Sequence, residues 1–474
     1  MSIQAIESQN IGDHYLRGNE LLLALVGVCL TLTAVLLSQF ASPALVFEVT
    51  GLLAACAVIP VRWPYGALLV LSIASVMPRV KVDIGGWNAR PEHCAILLVL
   101  GVFLLRSLLR GVPKISLAAT DYWVVAYVLW NYVSSAIMSP DPRLTLRWAL
   151  LTNFVVLPYF LIQIFVVDRR MLHWTFKVFL GTGIAECTYA LICYISRHLA
   201  GTSFGVEVGQ YSAGVEGVYG SQYEPNLLGS YSACLAVMLL VLFFLKPRRG
   251  TNWLVGGIII ALASLLVTLS RAAFLSFALV SLILLLFGIR SGLVKLWKLL
   301  PIILGIAVFV APIAFTSGKH LAARFASLSG DEVQNDSETM ERLISWTVAL
   351  QDIWQHPIAG NGTASFQLLA NVREIPELGD RPWVANSVIR IVHDTGVIGL
   401  FLFAGMIFSL VRRIKKVIAG LAPERGMVIA LFAGCLVYAI AFMSAEGTML
   451  SFFWVHVGLL SSACSFAATH VLQP

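Results

Sequence analysis

Charged side chains are scarce in this sequence. Aspartate, glutamate, lysine and arginine make up 12% of the 474 residues, whereas 58% are apolar. A soluble domain of ordinary composition carries roughly 25% charged residues. So little polar surface excludes a water-soluble globule and indicates a chain that lies largely within a lipid bilayer.

Several familiar functional motifs are also absent. The sequence contains no Walker-type phosphate loop, no dinucleotide-binding glycine fingerprint and no His-x-x-x-His pair. The eight cysteines lie in or beside apolar runs, without the spacing of a zinc site or a disulfide framework. These absences argue against a nucleotide-driven pump, and we expect no metal or other cofactor.

Long apolar runs fill most of the chain. We count fourteen candidates: 20–39, 43–61, 64–78, 93–110, 121–138, 148–167, 174–196, 226–245, 252–269, 272–289, 299–316, 385–411, 426–445 and 448–469. Runs of about 20 apolar residues cross a bilayer as helices, because backbone polar groups must be satisfied internally in lipid. The sequence therefore predicts an all-α, polytopic membrane helix bundle of about 14 transmembrane helices.

The basic residues alternate between the two sides of this bundle. Clusters such as Lys246-Pro-Arg-Arg249 and Arg412-Arg-Ile-Lys-Lys416 occupy short connections, as the positive-inside rule expects of cytoplasmic loops. Both termini are then cytoplasmic. The basic residues behind the net charge of +7 orient the helices in the membrane, so we expect membrane lipid as a partner and no nucleic acid. The expected divisions are 1–19 as a cytoplasmic segment, 20–316 as the bundle, 317–384 as a periplasmic loop and 385–474 as the last helices.

The long loop contains a predicted amphipathic helix from Thr339 to Gln355. Its apolar side chains recur at helical spacing; they are Leu343, Trp346, Leu350, Ile353 and Trp354. His356-Pro357 should end the helix, because the residue before proline is disfavoured in the α region. Gly360-Asn-Gly362 then predicts a turn. The pattern alone indicates only a helix lying on the bundle or on the lipid interface.

Two arginines are candidate functional residues. Arg271 begins the tenth predicted span, where a charge near the membrane centre costs about 2.5–3.5 kcal/mol on insertion scales and usually has a purpose. Arg342 lies on the predicted loop helix. Taken singly, Arg271 is equally well explained by snorkelling to the interface, and Arg342 by an ordinary surface charge.

Two further polar segments flank predicted spans. Tyr223, Glu224 and Asn226 precede the eighth span, where Pro225 also suits a simple helix start. At the start of the twelfth span, two neighbouring stripes of the helix surface carry polar groups. One stripe consists of Ala385, Ile389 and His393, and the other of Asn386, Arg390 and Asp394. A purely structural polar cluster explains these groups as well as a site does.

Four segments of the C-terminal half form an ordered set. In chain order they are Glu224-Pro-Asn226; Leu269-Ser-Arg-Ala-Ala-Phe-Leu275; Arg342 to Gly362, with its Trp, His-Pro and Gly-x-Gly; and Ala385-Asn-Ser387 followed by Thr395-Gly-Val-Ile-Gly-Leu400. Taken together, these segments resemble the O-antigen ligase and polysaccharide polymerase superfamily. The resemblance covers about residues 220–445. The N-terminal half is similar only in its number of spans.

The resemblance implies an inverting, metal-independent glycosyltransferase at the periplasmic face of the bacterial inner membrane. Its partner is an oligosaccharide linked to undecaprenyl diphosphate, and a chain-length regulator is a second candidate partner. Arg271 and Arg342 are the expected catalytic arginines. The expected substrate-binding residues are Tyr223, Glu224, Asn226, His356, Asn386 and Arg390.

One departure bears on the reaction. Ligases of this superfamily usually carry a histidine where this chain has Ala385, and that histidine is thought to orient or deprotonate the acceptor hydroxyl. His393 is the nearest substitute on the same helix face and joins the expected catalytic residues; Glu224 and Asp394 are weaker candidates. We therefore expect a polymerase of exopolysaccharide or O-antigen repeats. An O-antigen ligase and a transporter or flippase of lipid-linked sugars stay open as alternatives.

Overall fold

The computed structural model of the chain describes residues 43–79, 82–84, 87–111, 117–207, 217–245, 252–290, 303, 337–369, 372, 375, 378 and 382–471. The chain forms two compact units, Met1–Lys114 and Ile115–Pro474. The described residues are mostly helical, as the apolar runs predict. Each unit is considered by itself below.

The first unit contains three described helices and a small hairpin. They are α1 (Pro43–Val61), α2 (Tyr65–Ser75), β1 (Val82–Ile84), β2 (Trp87–Ala89) and α3 (Pro91–Arg110). The two strands pair antiparallel, and the three helices pack against one another. Proline opens α3, a position where its missing N–H costs no helical hydrogen bond.

The second unit carries the other described helices. They are α4 (Ala119–Ile137), α5 (Pro142–Phe154), α6 (Leu157–Phe165), α7 (Arg169–Ala200), α8 (Pro225–Leu245), α9 (Asn252–Thr268), α10 (Arg271–Arg290), α11 (Ser337–Gln355), α12 (Ser387–Ala419), α13 (Arg425–Ala441) and α14 (Ser451–Val471). Strands β3 (Val206–Glu207) and β4 (Gly217–Val218) pair before α8. Short 3₁₀ turns lie at Phe366–Leu368 and Gly447–Met449.

Seven described helical segments are long and apolar enough to cross a membrane, one of them made of α5 and α6 together. They are Pro91–Arg110, Pro142–Phe165, Arg169–Ala200, Pro225–Leu245, Arg271–Gly288, Ser387–Ala419 and Ser451–Ala468. Three shorter apolar helices are Tyr65–Ser75, Asn252–Thr268 and Arg425–Ala441. The chain is a multi-pass, all-α membrane protein. The predicted spans 20–39 and 299–316 fall outside the described residues, except at position 303.

One predicted span is interrupted. The run 148–167 forms two helices, α5 and α6, with a break at Val155 and Val156. Pro158 contributes to the break, because it has no N–H to bond to the Phe154 carbonyl four residues earlier. The chain passes the break on short-range bonds from the Val156 N–H to Asn153 and from the Tyr159 N–H to Val156.

Helix α8 is the most enclosed element of the second unit. Almost all of its residues are buried, and it packs against α9, α10 and α13. Such a helix is apolar all round, as expected of a helix surrounded by other helices. Its packing holds the start of α8 beside the turn between α9 and α10, which is where the site described below begins.

The loop helix α11 ends at Gln355 as predicted, and the structure shows which of its faces packs, which the sequence pattern left open. Leu343, Leu350 and Trp354 are exposed, Trp354 by 82%. The buried stripe is a polar and small-residue face; it consists of Ser345, Val348, Ala349 and Asp352. Helix α11 packs on α12 through this stripe, with an apolar cluster that includes Phe366 and Val384. Close packing against a second helix favours small side chains, whereas a surface near lipid tolerates exposed apolar ones.

Candidate functional site

The first part of the site links α8 to the turn between α9 and α10. Asn226, the second residue of α8, is buried, and its Oδ1 accepts a hydrogen bond of 2.8 Å from the Ser270 hydroxyl. Leu269 and Ser270 alone connect α9 to α10. Arg271 follows as the first residue of α10 and is half-buried. Asn226 therefore fixes the residue that precedes this arginine, and Tyr223 and Glu224 lie half-buried just before α8.

Arg271 in turn contacts the start of the loop helix. Its Nη2 donates to the Thr339 hydroxyl at 3.0 Å. Arg342 lies three residues further along α11, and residues three apart share one side of a helix. Arg342 is also half-buried. The structure thus brings Asn226, Arg271 and the α11 turn that carries Arg342 into one continuous arrangement, although these residues are far apart in sequence.

The end of α11 meets a break in α12. Gly396 has φ 65° and ψ −169° inside an otherwise helical stretch. The break frees two carbonyls, which accept bonds from the loop: the Asn361 N–H bonds to the His393 carbonyl at 2.8 Å, and the Gly362 N–H to the Asp394 carbonyl at 2.9 Å. In a membrane protein, helix breaks persist only where other groups satisfy the freed backbone.

The exchange between loop and helix is reciprocal. The Val397 N–H donates to the Pro357 carbonyl at 2.9 Å, and the Ile398 N–H to the Ile358 carbonyl at 3.3 Å. A Cβ on Gly360, whose φ is +77°, would lie 2.4 Å from the Thr395 nitrogen. Only glycine permits this approach of two backbones. The predicted turn after His356-Pro357 therefore packs directly against the backbone of α12 at its break.

His393 lies within this junction and is completely buried. Its Nδ1 is 3.0 Å from Asp394 Oδ1, and its Nε2 is 3.8 Å from Asp352 Oδ2 on α11. Its ring also meets Phe366 edge to face at 5.4 Å between centroids. A base must lie within hydrogen-bond reach of the hydroxyl it deprotonates. This enclosed position favours a structural role for His393 over the expected catalytic role.

Two other expected substrate-binding residues also have structural contacts. Asn386 caps α12, because its Oδ1 accepts from the Val388 and Ile389 N–H groups at 3.0 Å each, and its amide donates to the Met443 carbonyl. His356 is half-buried, and its carbonyl accepts a bond from the Gly360 N–H. Asn386 thus holds the start of α12, and His356 holds the turn that follows α11.

Arg390 connects the junction to the segment between α13 and α14. Its Nε is 3.3 Å from Asp394 Oδ2, and its Nη1 is 3.3 Å from Glu446 Oε2. Small cavities lie on both sides of Arg390 and Asp394, one reaching Asn131 and the other reaching Glu446. Sequence reasoning singled out Arg390 and Asp394 but assigned no role to Glu446 or Asp352. The buried stripe of α11 is the signal that points to Asp352.

Comparison with known proteins supports the grouping of these elements. Residues 256–404 match a family described as O-antigen ligase. The matched region runs from α9 into α12, so it contains Arg271, Arg342 and the broken helix at Gly396. Asn226 and Glu446 lie outside it. The expected superfamily resemblance is confirmed by this match. No curated protein matches the chain at a significant level.

Proposed function

Because this chain carries an O-antigen ligase family region at residues 256–404, we propose that it polymerises glycan repeats carried on a lipid diphosphate. The family match supports an enzyme that acts on lipid-linked glycans in a membrane. The polymerase activity, the undecaprenyl carrier and the periplasmic face are our proposal. The observation that carries it is the bond from Arg271 to Thr339, one turn before Arg342 on the loop helix.

Two arginines on adjoining elements suit the departure of a diphosphate. Guanidinium groups are permanently charged and bind phosphate oxygens in pairs of parallel hydrogen bonds. Arg271 and Arg342 are both half-buried, so they combine partial desolvation with access for a ligand. Charges held in place before the reaction stabilise the developing negative charge without further reorganisation.

The proposed reaction is a single displacement with inversion. A hydroxyl oxygen of the acceptor glycan forms a bond to the anomeric carbon of the donor, and the bond from that carbon to the diphosphate oxygen breaks. The leaving lipid diphosphate takes the electron pair and is stabilised by the two arginines. The hydroxyl proton passes to a base on the protein. The donor's lipid chain remains in the bilayer throughout.

The rigid end of α11 supports this assignment. A catalytic arginine contributes most when its position is fixed before substrate binds. The junction at Gly360 and Gly396 anchors one end of α11 through four backbone hydrogen bonds. The Arg271 side chain meets the other end of the helix. Arg342 is therefore presented on an element that is held at both ends.

Product analysis separates the three candidate functions. Purified protein is reconstituted in lipid vesicles with a synthetic diphosphate-linked repeat as the only glycan. A ladder of longer lipid-linked products is the expected result and requires no further acceptor. Product that forms only when a core glycolipid or protein acceptor is added contradicts polymerisation and identifies a ligase. Transfer of the repeat across the bilayer without bond formation identifies a flippase. A repeat whose acceptor hydroxyl is methylated is the matched control and should form no ladder.

A further inference from the structure

Three carboxylates near the loop helix differ in their availability to a substrate. Asp352 and Asp394 are almost fully buried. Asp394 is also engaged at both oxygens, by His393 Nδ1 at one and by the Ala364 N–H and Arg390 at the other. The Glu446 side chain is 14% exposed. Its contacts with the Ala385 N–H and with Arg390 are longer, at 3.3 Å each, and the Val384 N–H acts on it as well.

Glu446 opens onto a small cleft between loop and helix. The cleft has about 10 Å³ of space for water, about the least that holds one water molecule or one hydroxyl in its place. Its lining includes Trp383 and Gln367, and Trp383 is 37% exposed. The cleft is therefore lined by an aromatic ring, an amide and a carboxylate. These groups can contact a sugar ring and hydrogen-bond its hydroxyls. The cleft thus fits one hydroxyl of a larger glycan that remains outside.

The backbone at the cleft edge is unusual. Ala385 has φ 48°, in the left-handed region that costs a residue with a side chain roughly 1–2 kcal/mol. In this conformation its N–H donates to Glu446 Oε1. Strained backbone that persists next to a cleft is often tied to function. Here the strain helps to hold the carboxylate in place.

The cleft and the arginines lie along the same helix. Ser345, one turn after Arg342, is buried, and its hydroxyl lies 3.5 Å from the Val384 carbonyl. Val384 lines the cleft and precedes Ala385. One turn of helix rises about 5.4 Å. An acceptor hydroxyl in the cleft and a donor diphosphate at the arginines would therefore be served by neighbouring turns of α11.

We propose that Glu446 is the base that accepts the proton of the acceptor hydroxyl, and that the cleft lined by Trp383 and Gln367 receives this hydroxyl. The inference rests on the proposed glycosyl transfer. As the hydroxyl oxygen bonds to the anomeric carbon, its proton moves to a Glu446 oxygen, and the diphosphate leaves with the electron pair. Arg390 is a positioning residue that orients the carboxylate through its 3.3 Å contact.

The electrostatic environment of Glu446 suits proton transfer. Burial raises the pKa of Glu446 above the ordinary carboxyl value; Arg390 opposes this shift, Asp394 adds to it, and the backbone N–H groups of Ala385 and Val384 lower the pKa. A base is most effective when its pKa approaches the working pH. Because only the ionised carboxylate accepts a proton, activity should fall as pH drops through this raised pKa.

The opposite end of α13 offers a matched control. Glu424 precedes α13 as Glu446 follows it, and Glu424 is buried and paired with Arg169 at 3.0 Å. The test compares Glu446→Gln with Glu424→Gln in the ladder assay, across pH, together with binding of the lipid-linked donor. Glu446→Gln should lower the turnover rate by about 10²–10⁴-fold, should lose the acidic limb of the pH profile and should bind the donor normally. Glu424→Gln should retain turnover.

The outcomes separate the two proposals. If the wild-type protein forms no glycosidic product, the proposed function itself fails. If it forms ladders and Glu446→Gln does so at the same rate, or if the variant loses donor binding as well, the base assignment is overturned. A Glu446→Asp variant covers the case in which glutamine prevents folding. It should keep part of the activity with the acidic limb moved to another pH, and an unmoved limb would contradict the proposal.

Discussion

The two ends of the loop helix α11 are held by different kinds of contact. At its end, Asn361 and Gly362 donate backbone hydrogen bonds to the broken helix α12, and Pro357 and Ile358 accept backbone hydrogen bonds from it. At its start, a side-chain bond joins Thr339 to Arg271, and both arginines are half-buried. The centre of the junction, at Asn361, His393 and Asp394, is buried, whereas the arginines at the start of α11 are partly exposed.

The difference indicates that the end of α11 supports the fold, whereas its start takes part in the proposed reaction. Buried backbone bonds that replace a missing helical turn are costly to disturb, because each unsatisfied group in a dry environment costs several kcal/mol. Half-buried arginines contribute less to the fold, and their side chains are partly exposed to a ligand. Changes at the end of α11 should therefore reduce stability, and changes at its start should reduce turnover.

Gly360→Ala should have the largest effect on stability. The new Cβ would lie 2.4 Å from the Thr395 nitrogen, and the residue would keep a φ of +77°. Left-handed backbone alone costs about 1–2 kcal/mol, and the clash with backbone should bring the loss to about 4 kcal/mol or more. Thermal unfolding in detergent measures this loss.

Gly256→Ala is the matched control for that substitution. Gly256 lies within α9 and a Cβ there meets nothing within 4 Å, so alanine should stabilise the helix by about 0.5–1 kcal/mol. Equal melting temperatures for the two variants would show that the junction is not the rigid anchor described above.

His393→Asn should have a smaller effect on stability and little effect on turnover per folded molecule. The change removes the imidazole ring that lies between Asp352 and Asp394. Because buried groups then lose a partner, the free energy of unfolding should fall by about 1–3 kcal/mol. Adding Asp352→Asn should recover part of the loss. A large fall in turnover at unchanged melting temperature would instead make His393 the base.

The sequence predicted the helical architecture and much of the site. Apolar length identified most of the described helices, and the Pro357 rule placed the end of α11 correctly. The separate motifs around Asn226, Arg271 and Arg342 were expected on resemblance, and the structure connects the first two directly through Ser270. Short polar motifs beside helix ends can be recognised in a sequence, because residues of these types form the turns and caps at which helices begin and end.

The remaining features depend on tertiary packing. The apolar residues of α11 predicted a helix on the bundle or at the lipid interface and left open which face packs; Leu343 and Trp354 are exposed, and the small residues are buried. Helical periodicity identifies two faces but does not distinguish a face against a helix from one near lipid. Glu446 lies 61 residues from Ala385, whose N–H it accepts. No local pattern in the sequence indicates that contact.

The most direct test of the account is ladder formation by Arg271→Ala, Arg342→Ala and the double variant. Each single change should slow polymerisation by about 10²–10³-fold, and the double variant should lose little more, because both groups act on one diphosphate. All three should unfold at nearly the wild-type temperature. Arg412→Ala, which removes an exposed arginine elsewhere on α12, should polymerise normally. Normal rates and chain lengths in both single variants would contradict the central claim that these two arginines bind the leaving diphosphate.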